Sequence, residues 1–392
     1  MKKLLILVFF IPILSGCWNY REINDLAIVT GFAVEEVDND IKISAQIMRI
    51  QKSIGQDQLS QEMSYVLEAT GKTFYEALRK ITLRSPKRLY ISHIKIFIID
   101  EKIARKSIQE LIDYPIRETE FRAEFYIFVS KDTKASDILK VVTPLKAFSS
   151  NAIEDYIEIS SEILGKNQII TYTDFLHNYM EEGLENVVNG LYIKGDVKQG
   201  ENIDDLKKTN IDAIIYLGNI GVFKNDKLLG WLTEDESYGY NFITNKIDTA
   251  IINIPCDKDK YIAVEILSST SSIKTKIKDE KASGSVKVKG YGLIGEVNCP
   301  IDLNDEKVIE KIREDTNSYV KKLIEDTITS VQQKYKSDIF GFGQQVHKKE
   351  YKTWHKVKKN WDNIFENMGI TVDVNYELPE EGTIIRVLKD KD

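Results

Sequence analysis

The first seventeen residues constrain this chain most, because they decide on which side of a membrane the rest of it folds. Lys2 and Lys3 precede an unbroken apolar run from Leu4 to Leu14. A short basic head followed by an apolar core of about a dozen residues is typical of a secretory signal peptide. The run is too short to cross a bilayer as a helix, which needs roughly 20 apolar residues. We therefore expect an exported chain whose signal peptide, residues 1–16, is removed.

The residues that end this segment indicate how the exported chain is held. Leu14-Ser15-Gly16-Cys17 resembles the lipobox of bacterial lipoproteins. In that class the cysteine thiol is alkylated with diacylglycerol, and the peptide bond before it is then cleaved. Cys17 is therefore the predicted lipidation site and the first residue of the mature chain, with fatty chains such as palmitate in the membrane. The alternative is an ordinary cleaved signal in which Cys17 merely follows Gly16.

The charge of the chain argues against electrostatic attachment. Lys and Arg total 54 and Asp and Glu total 61 among 392 residues, of which 42% are hydrophobic and 29% charged. This composition is typical of a globular protein of two or three domains. An acidic body is repelled by nucleic acid and by anionic lipid, so we expect no nucleic-acid partner. Two fatty chains suffice for stable membrane attachment.

Hydrophobic patterns predict an α+β protein of several domains, with mixed and antiparallel sheets packed against helices. In the first half we predict strands at 27–37, 41–50, 94–99 and 123–129, and helices at 73–83, 103–113, 136–141, 150–164 and 173–180. The polar stretch 196–210 is the best candidate for a linker. The predicted units are an N-terminal α/β domain at 17–200, a middle β-rich domain at 208–283 and a C-terminal α+β domain at 284–392.

The sequence pattern of the second half predicts a hairpin, a meander and a long helix. Val222 to Leu228 predicts a hairpin with Asn225-Asp226 at its turn. Residues 247–297 are expected to form three successive antiparallel strands. A helix follows at 305–335, then a shorter helix with Trp354 and Trp361, and a strand at 370–376.

Cys256 and Cys299 are predicted to be free thiols. They would end the first and third strands of the meander, about 9 to 10 Å apart with the middle strand between them. A disulfide needs Cα atoms closer than about 7 Å.

The sequence predicts no catalytic residue, no cofactor-binding residue and no metal ligand. Residues 290–295 match G-x-G-x-x-G, but a proline-stopped strand follows where a dinucleotide site needs a helix. The four histidines lack metal-site spacing: His93, His177, His347 and His355.

The acidic pairs are expected to be solubilising surface: Glu181-Glu182, Asp204-Asp205 and Glu380-Glu381. Residues 348–359 hold six lysines, the only concentrated basic patch in the sequence, and are interpreted as a solvated helix face or as a dock for an acidic partner or lipid headgroups.

Three segments resemble the Ger(x)C family, the C subunits of spore germinant receptors. The first is Cys17-Trp18-Asn19-Tyr20-Arg21-Glu22-Ile23, in which Asn19 stands where the family usually has Asp. The second is residues 222–232, similar to the family's VFK–DKLVGWL block. The third is Asp338-Ile339-Phe340-Gly341-Phe342-Gly343 with His347, Trp354, Trp361 and Asp362 after it. The segments keep the family's order from one end of the mature chain to the other.

The resemblance implies a non-enzymatic, lipid-anchored receptor subunit built of three α+β domains. It would lie on the outer face of the spore inner membrane, beside a polytopic subunit that recognises small germinants and a third integral subunit. Whether this subunit itself binds a germinant is left open.

Two alternative functions fit the sequence less well. A solute-binding lipoprotein of an uptake system would have two doubly wound lobes, which the predicted meander and the apparent lack of repeated parallel strand–helix–strand units disfavour. A cell-wall enzyme is disfavoured because the sequence shows no nucleophile, metal set or carboxylate pair.

Overall fold

A computed structural model describes residues 22, 25–49, 64–146, 148–278 and 281–379. Within these ranges the chain forms a nine-stranded sheet and a four-stranded sheet, both packed with helices. The predicted α+β class with mixed and antiparallel sheets is confirmed. No helix among the described residues combines the length and the hydropathy that crossing a bilayer would require.

The first sheet has a parallel centre and antiparallel edges. Its strands are β1 (Leu26–Val37), β2 (Asp40–Met48), β3 (Ser64–Gly71), β4 (Arg88–Tyr90), β5 (Ile96–Asp100), β6 (Tyr126–Ser130), β7 (Val187–Gly195), β8 (Ala213–Lys224) and β9 (Lys227–Trp231). They lie in the order β3-β2-β1-β5-β6-β7-β8-β9, with β4 beside β1. Strands β1, β5, β6 and β7 pair parallel with one another, whereas β2 and β3 on one side and β8 and β9 on the other are joined by antiparallel pairing.

The parallel strands are joined through helices, which corrects one part of the sequence analysis. These helices are α1 (Phe74–Ile81), α2 (Glu101–Lys106), α3 (Gln109–Arg117), α4 (Ala135–Lys140), α5 (Ser149–Ile163) and α6 (Tyr172–Met180). The chain therefore does contain repeated parallel strand–helix–strand units, and the expectation that it lacks them is wrong. The sequence did not indicate the parallel pairing of these short, fully apolar strands, because burial on both faces removes the alternation of apolar and polar residues.

The helix predicted at 103–113 is two helices, α2 and α3. The backbone N–H of Ile108 donates to the carbonyl of Asp226 at 3.0 Å, and the hydroxyl of Ser107 bonds the Asp226 carboxylate. The Ile108 amide is therefore bonded outside the helix, and helical hydrogen bonding is interrupted between Lys106 and Gln109. A distant hairpin decides this break, so the local pattern did not show it.

Burial on both faces explains the composition of the central strands. One face of the sheet packs Phe32, Phe97 and Ile99 into the main core. The other face packs Ile96 and Ile98 into a second core. Helices α4 and α5 complete that second core with Ile138, Leu139, Ile153 and Ile157.

The polar stretch 196–210 joins two neighbouring strands of the first sheet. It contains helix α7 (Val197–Gly200) and a 3-10 turn at Ile203–Lys207, and β7 and β8 on either side pair antiparallel. The first sheet therefore extends to residue 231, and residue 284 lies inside a strand of the second sheet. As independently folding units, the ranges 17–200, 208–283 and 284–392 stay a prediction.

The second sheet is the predicted meander with one parallel strand added. Strands β10 (Ala250–Asp257), β11 (Lys260–Lys278) and β12 (Lys281–Val297) pair antiparallel in sequence order, and β13 (Gly369–Glu377) lies parallel to β12. The G-x-G-x-x-G residues, 290–295, lie within β12, and no helix opens there. The prediction that these glycines belong to a strand is confirmed.

The remaining helices contribute to the same core as the second sheet. They are α8 (Glu234–Ile243), α9 (Glu306–Ser330), α10 (Phe342–Lys349), α11 (Tyr351–Val357) and α12 (Trp361–Glu366), and a π-helical turn at Val331–Tyr335 prolongs α9 to the predicted end. Asp305 caps α9 by accepting from Lys307 N at 2.9 Å. Ile312, Val320 and Ile324 form the buried stripe of α9.

The prediction of two free thiols is wrong, because Cys256 and Cys299 form a disulfide with Cα atoms 6.4 Å apart. The expected separation of two strand spacings applies only to residues that both lie inside regularly paired strands. Cys299 lies beyond the end of β12, where Asn298 N donates to Tyr261 O at 3.1 Å across the start of β11. Cys256 lies at an irregularity of the β10–β11 pairing, between Pro255 and Asp257. Both cysteines therefore approach each other around the end of the middle strand.

We expect the double variant Cys256→Ser/Cys299→Ser to lose about 2–4 kcal/mol of unfolding free energy, because the disulfide closes a loop over 43 residues of sequence separation. Urea unfolding of the two proteins, monitored by circular dichroism, measures the loss. Alkylation without reductant followed by mass spectrometry should find the two cysteines in one linked peptide. Two alkylated cysteines in the native protein would contradict the pairing.

Candidate functional site

Two motif segments that lie about a hundred residues apart in sequence contact each other in the fold. The β8–β9 hairpin carries the first, at residues 222–232, and residues 338–362 carry the second. The loop 181–186, between α6 and β7, meets both. We call the place where these three segments meet the motif junction.

The hairpin itself has the predicted geometry. Phe223 pairs with Leu228 and Lys224 with Lys227, and Asn225 at the turn has a φ of 53°. This left-handed backbone angle is one that Asn adopts more readily than most residues. The prediction of a turn at Asn225-Asp226 is confirmed.

Hydrogen bonds and an ion pair attach the hairpin to the C-terminal segment. The hydroxyl of Ser337 donates to the carbonyl of Phe223 at 2.6 Å. The ammonium of Lys224 lies 2.6 Å from the carboxylate of Asp362. The motif positions therefore bond to one another.

Asp338 is the most heavily bonded side chain at the junction. It is 3% exposed. Its carboxylate accepts from the backbone N–H groups of Phe340 (3.2 Å), Gly341 (2.9 Å), Phe342 (3.2 Å) and Gly343 (2.7 Å), and from the indole N–H of Trp361 (3.0 Å).

These five donors fix the Asp338 carboxylate in a structural role. Burial raises the pKa of Asp338 to about 6, while the N–H donors act in the opposite direction. At neutral pH the carboxylate is charged, and the five donors occupy its acceptor positions. Its role is to cap the start of α10 and to hold Trp361 on α12.

Two glycines let the loop 181–186 approach α10 closely. Gly183 has a φ of +82°, and a Cβ there would lie 2.4 Å from the carbonyl carbon of Gly343. A Cβ on Gly343 would meet the indole nitrogen of Trp361 at 2.5 Å. With no side chain between them, the two backbones approach closely enough for Gln344 N to donate to Gly183 O at 2.7 Å. The Gly-x-Gly at 341–343 therefore serves close packing as well as donation to Asp338.

The acidic pairs are not simply solubilising surface. Glu182 accepts from the indole N–H of Trp354 and from Lys358 at 2.8 Å, and these partners hold the pKa of its carboxyl below the usual value. Glu181 lies 3.9 Å from Lys348. Asp205 is buried and accepts from Asp212 N at 3.0 Å. The surface interpretation is wrong for Asp205, which is buried. Glu182 and Asp204 are exposed, although both are ion-paired, and Glu380-Glu381 lies outside the described residues.

Glu185 lines a cavity of about 380 Å³ at the junction. Its carboxylate accepts from Asn225 N at 2.6 Å. Burial raises the pKa of Glu185 to about 7, and the nearby Asp362 raises it further. Glu181, Glu182, Lys358 and Lys359 also line this cavity. Of the two junction carboxyls whose pKa burial raises, Glu185 has the higher pKa, about 7 against about 6 for Asp338.

The predicted lipidation site is not among the described residues, because Cys17 and residues 18–21 lie outside them. The histidines His93, His177, His347 and His355 belong to no group of three or more metal-type ligands within the described ranges. Of the basic segment 348–359, Lys348 and Lys358 face the acidic loop of the junction, and the other four lysines are exposed.

Sequence reasoning missed the roles of Asp338 and Glu185. A signal for Asp338 was present, because an aspartate three residues before Gly341 can accept from a following turn of backbone N–H groups. No local signal marked Glu185, whose burial comes from the hairpin and from α12.

We expect Asp338→Ala to lose about 3–5 kcal/mol of unfolding free energy, because it leaves four backbone N–H groups and one indole N–H buried without their acceptor. Chemical denaturation measures the loss. Asp373→Ala, at an exposed aspartate of β13, is the matched control and should change stability by about 0.5 kcal/mol or less. A loss below about 1 kcal/mol for Asp338→Ala would contradict the capping role.

We expect stability to fall as pH rises from about 4.5 to about 7. The pKa of Glu185 is raised from 4.5 to about 7, so the folded chain binds the extra proton in this window and the unfolded chain does not. The stabilisation is fully present below pH 4.5, amounts to about 3 kcal/mol and is lost as pH rises through 7. Glu185→Gln should remove this part of the pH dependence, whereas Glu296→Gln, at an exposed position, should retain it. Urea titrations at several pH values decide the point, and identical slopes for the two variants would refute it.

Comparison with known proteins places the two halves of the chain in one family. Residues 19–191 match the family model described as spore germination protein N-terminal domain, and residues 218–382 match the one described as spore germination B3/GerAC like, C-terminal. The chain is 29% identical over 368 residues to spore germination protein KC of Bacillus subtilis strain 168, covering 92% of this chain and 90% of that protein. It is 24% identical over 390 residues to spore germination protein B3 of the same organism, covering 98% of each.

A solved structure has the same fold. The crystal structure of the GerBC protein superposes with a TM-score of 0.54, covering 89% of this chain and 96% of that chain at 17% sequence identity. Since the two family models together extend over most of the chain and full-length relatives agree, this protein belongs to the Ger(x)C family of spore germination proteins.

Proposed function

We propose that this chain is a lipid-anchored, non-enzymatic subunit of a spore germinant receptor, required for nutrient-triggered germination. The observation that carries the proposal is the combination of full-length similarity to spore germination proteins with Leu14-Ser15-Gly16-Cys17 at the end of a signal-like segment. In this proposal Cys17 carries diacylglycerol, and the body lies on the outer face of the spore inner membrane.

The anchor would hold the body close to the bilayer. Strand β1 begins at Leu26, nine residues after Cys17. An extended chain spans at most about 3.5 Å per residue, so the fold begins within roughly 30 Å of the lipid. Confinement to this layer raises the effective concentration of the body for membrane-embedded partners. The proposed partners are a polytopic subunit and a third integral subunit of the same receptor.

The motif junction supports an assembly role over a catalytic one. The carboxylate of Asp338 is surrounded by donors and holds α10 and α12 in place. Glu182 is bonded to Trp354 and Lys358. Motif residues used in this way stabilise a surface that other subunits can recognise, and none of them is placed as an activated nucleophile.

We expect Cys17→Ala to release the protein from spore inner membranes and to impair germination in nutrient, because no acyl chain can then be attached. Membrane fractionation with immunoblotting, and loss of optical density of spores in germinant, measure the two effects. Mass spectrometry of the native N-terminus should find diacylglycerol on Cys17.

The matched control is Cys256→Ser/Cys299→Ser, which removes the other two cysteines and should leave the protein membrane-bound. A Cys17→Ala protein that stays in the membrane fraction to the same extent as the unchanged protein would count against the anchor. An unmodified thiol at Cys17 would do the same.

A further inference from the structure

Strand pairing gathers six lysines on one face of the second sheet. Because antiparallel partners point to the same side of a sheet, the register places these residues together. In β11 and β12, Lys274 pairs with Ser285, Lys276 with Ser283, Lys278 with Lys281, Ser272 with Lys287 and Thr270 with Lys289. We call the six lysines 274, 276, 278, 281, 287 and 289 the lysine face.

The side chains of the lysine face project from a surface of short neighbours. All six lysines are exposed, whereas the alternating residues of β12 on the opposite side, such as Val286 and Val288, are buried in the core. Serine and threonine fill the positions between the lysines. Strands rise about 3.4 Å per residue, so the face is roughly 25 Å long.

Among the described residues, one acidic side chain forms an ion pair with this face. In the parallel strand β13, Lys287 lies opposite Asp373, with 3.5 Å between ammonium and carboxylate. Lys289 lies opposite Asn375 and Ser285 opposite Thr371. The pair of Lys287 and Asp373 is exposed on both sides and therefore weak.

The lysine face is a basic patch that the sequence pattern did not indicate. The formal net charge is −7, and the segment 348–359 stood out as the only concentrated basic patch. Lysines that alternate along two strands do not form a run in sequence. The pairing of β11 with β12 interleaves them, so the fold produces a second basic patch that net charge does not reveal.

We propose that the lysine face binds the anionic headgroups of the membrane and so orients the body on the bilayer. A lysine near an anionic lipid surface contributes an attraction equivalent to roughly a fivefold change in binding, and the attractions of several lysines add. A flat face with its ammonium groups outermost suits a planar array of phosphates.

Lipid is favoured over an acidic protein because the anchor would bring this body within reach of headgroups. This step rests on the proposed function, since an unanchored acidic chain would spend little time near an anionic surface. Once anchored, the body has one lipid contact imposed by Cys17, and the lysine face supplies a second. Two contacts define an orientation, whereas one leaves the body free to rotate.

Lysine footprinting of the full lipidated chain tests the proposal. The protein is reconstituted into vesicles of phosphatidylcholine alone or of an equal mixture of phosphatidylcholine and phosphatidylglycerol, then acetylated briefly and analysed by mass spectrometry. We expect acetylation of the lysine face to be about fivefold slower in the anionic vesicles. The exposed lysines Lys311 and Lys322 of α9 should react equally in both. About 1 M salt, which shortens the screening length to about 3 Å, should abolish the difference.

A quadruple variant and a matched control sharpen the test. Lys274→Gln/Lys276→Gln/Lys287→Gln/Lys289→Gln should remove the protection of the remaining Lys278 and Lys281. The same charge is removed elsewhere by Lys349→Gln/Lys352→Gln/Lys356→Gln/Lys359→Gln, which should leave that protection unchanged. All eight positions are exposed, so both variants are expected to fold.

Three outcomes would overturn the proposal. They are equal acetylation of the lysine face in both kinds of vesicle, protection of the 348–359 segment in its place, and protection that does not depend on lipid charge. Vesicle flotation is measured on the same samples and reports the anchor. A chain that floats but shows no protection refutes the lysine face alone, and a chain that does not float refutes the anchor on which it rests.

Discussion

The buried carboxylate of Asp338 is the interaction on which the C-terminal third of the fold depends. It accepts the N–H groups that begin α10 and the indole N–H that places α12. Asp338 O in turn accepts from Glu185 N at 2.9 Å, so the same residue joins the loop before β7. A desolvated charge is tolerated only where donors surround it, and the packing of Gly343 against Trp361 keeps the donors in position. The hairpin of β8 and β9 bonds to this segment, and buried residues of both sheets belong to one continuous core.

The distribution of charge over the surface also depends on which segments the fold brings together. Acidic residues of the loop 181–186 face lysines of α10 and of the turn after α11, which neutralises the junction. Among the described residues of β13, Asp373 forms an ion pair with the lysine face, and Glu377 lies just beyond its end, opposite Tyr291. A chain that is acidic as a whole therefore presents one strongly basic face. Net charge describes solubility, whereas the direction of each side chain from its strand decides what a surface attracts.

Elements with a strong local pattern were predicted correctly. The stripe of α9, with Ile312, Val320 and Ile324, follows helical spacing, and the turn at Asn225 follows from a residue type that tolerates a positive φ. The break between α2 and α3 was missed, because the carbonyl of Asp226 that ends the first helix comes from a hairpin more than a hundred residues away. The parallel strands β5 and β6 were found, but their partners were not, because fully buried strands carry no alternation that reveals a register.

By itself the sequence determined the α+β class, most helices and strands, the hairpin turn and membership of the Ger(x)C family, since these depend on residue type and on spacing along a few turns or strands. Only the tertiary structure decided the Cys256–Cys299 disulfide, the donors around Asp338, the environment of Glu185 and the lysine face. Each of these needs residues from separate segments to be brought within hydrogen-bonding or bonding distance. That proximity follows from strand register and from burial in a shared core, which no short stretch of sequence encodes.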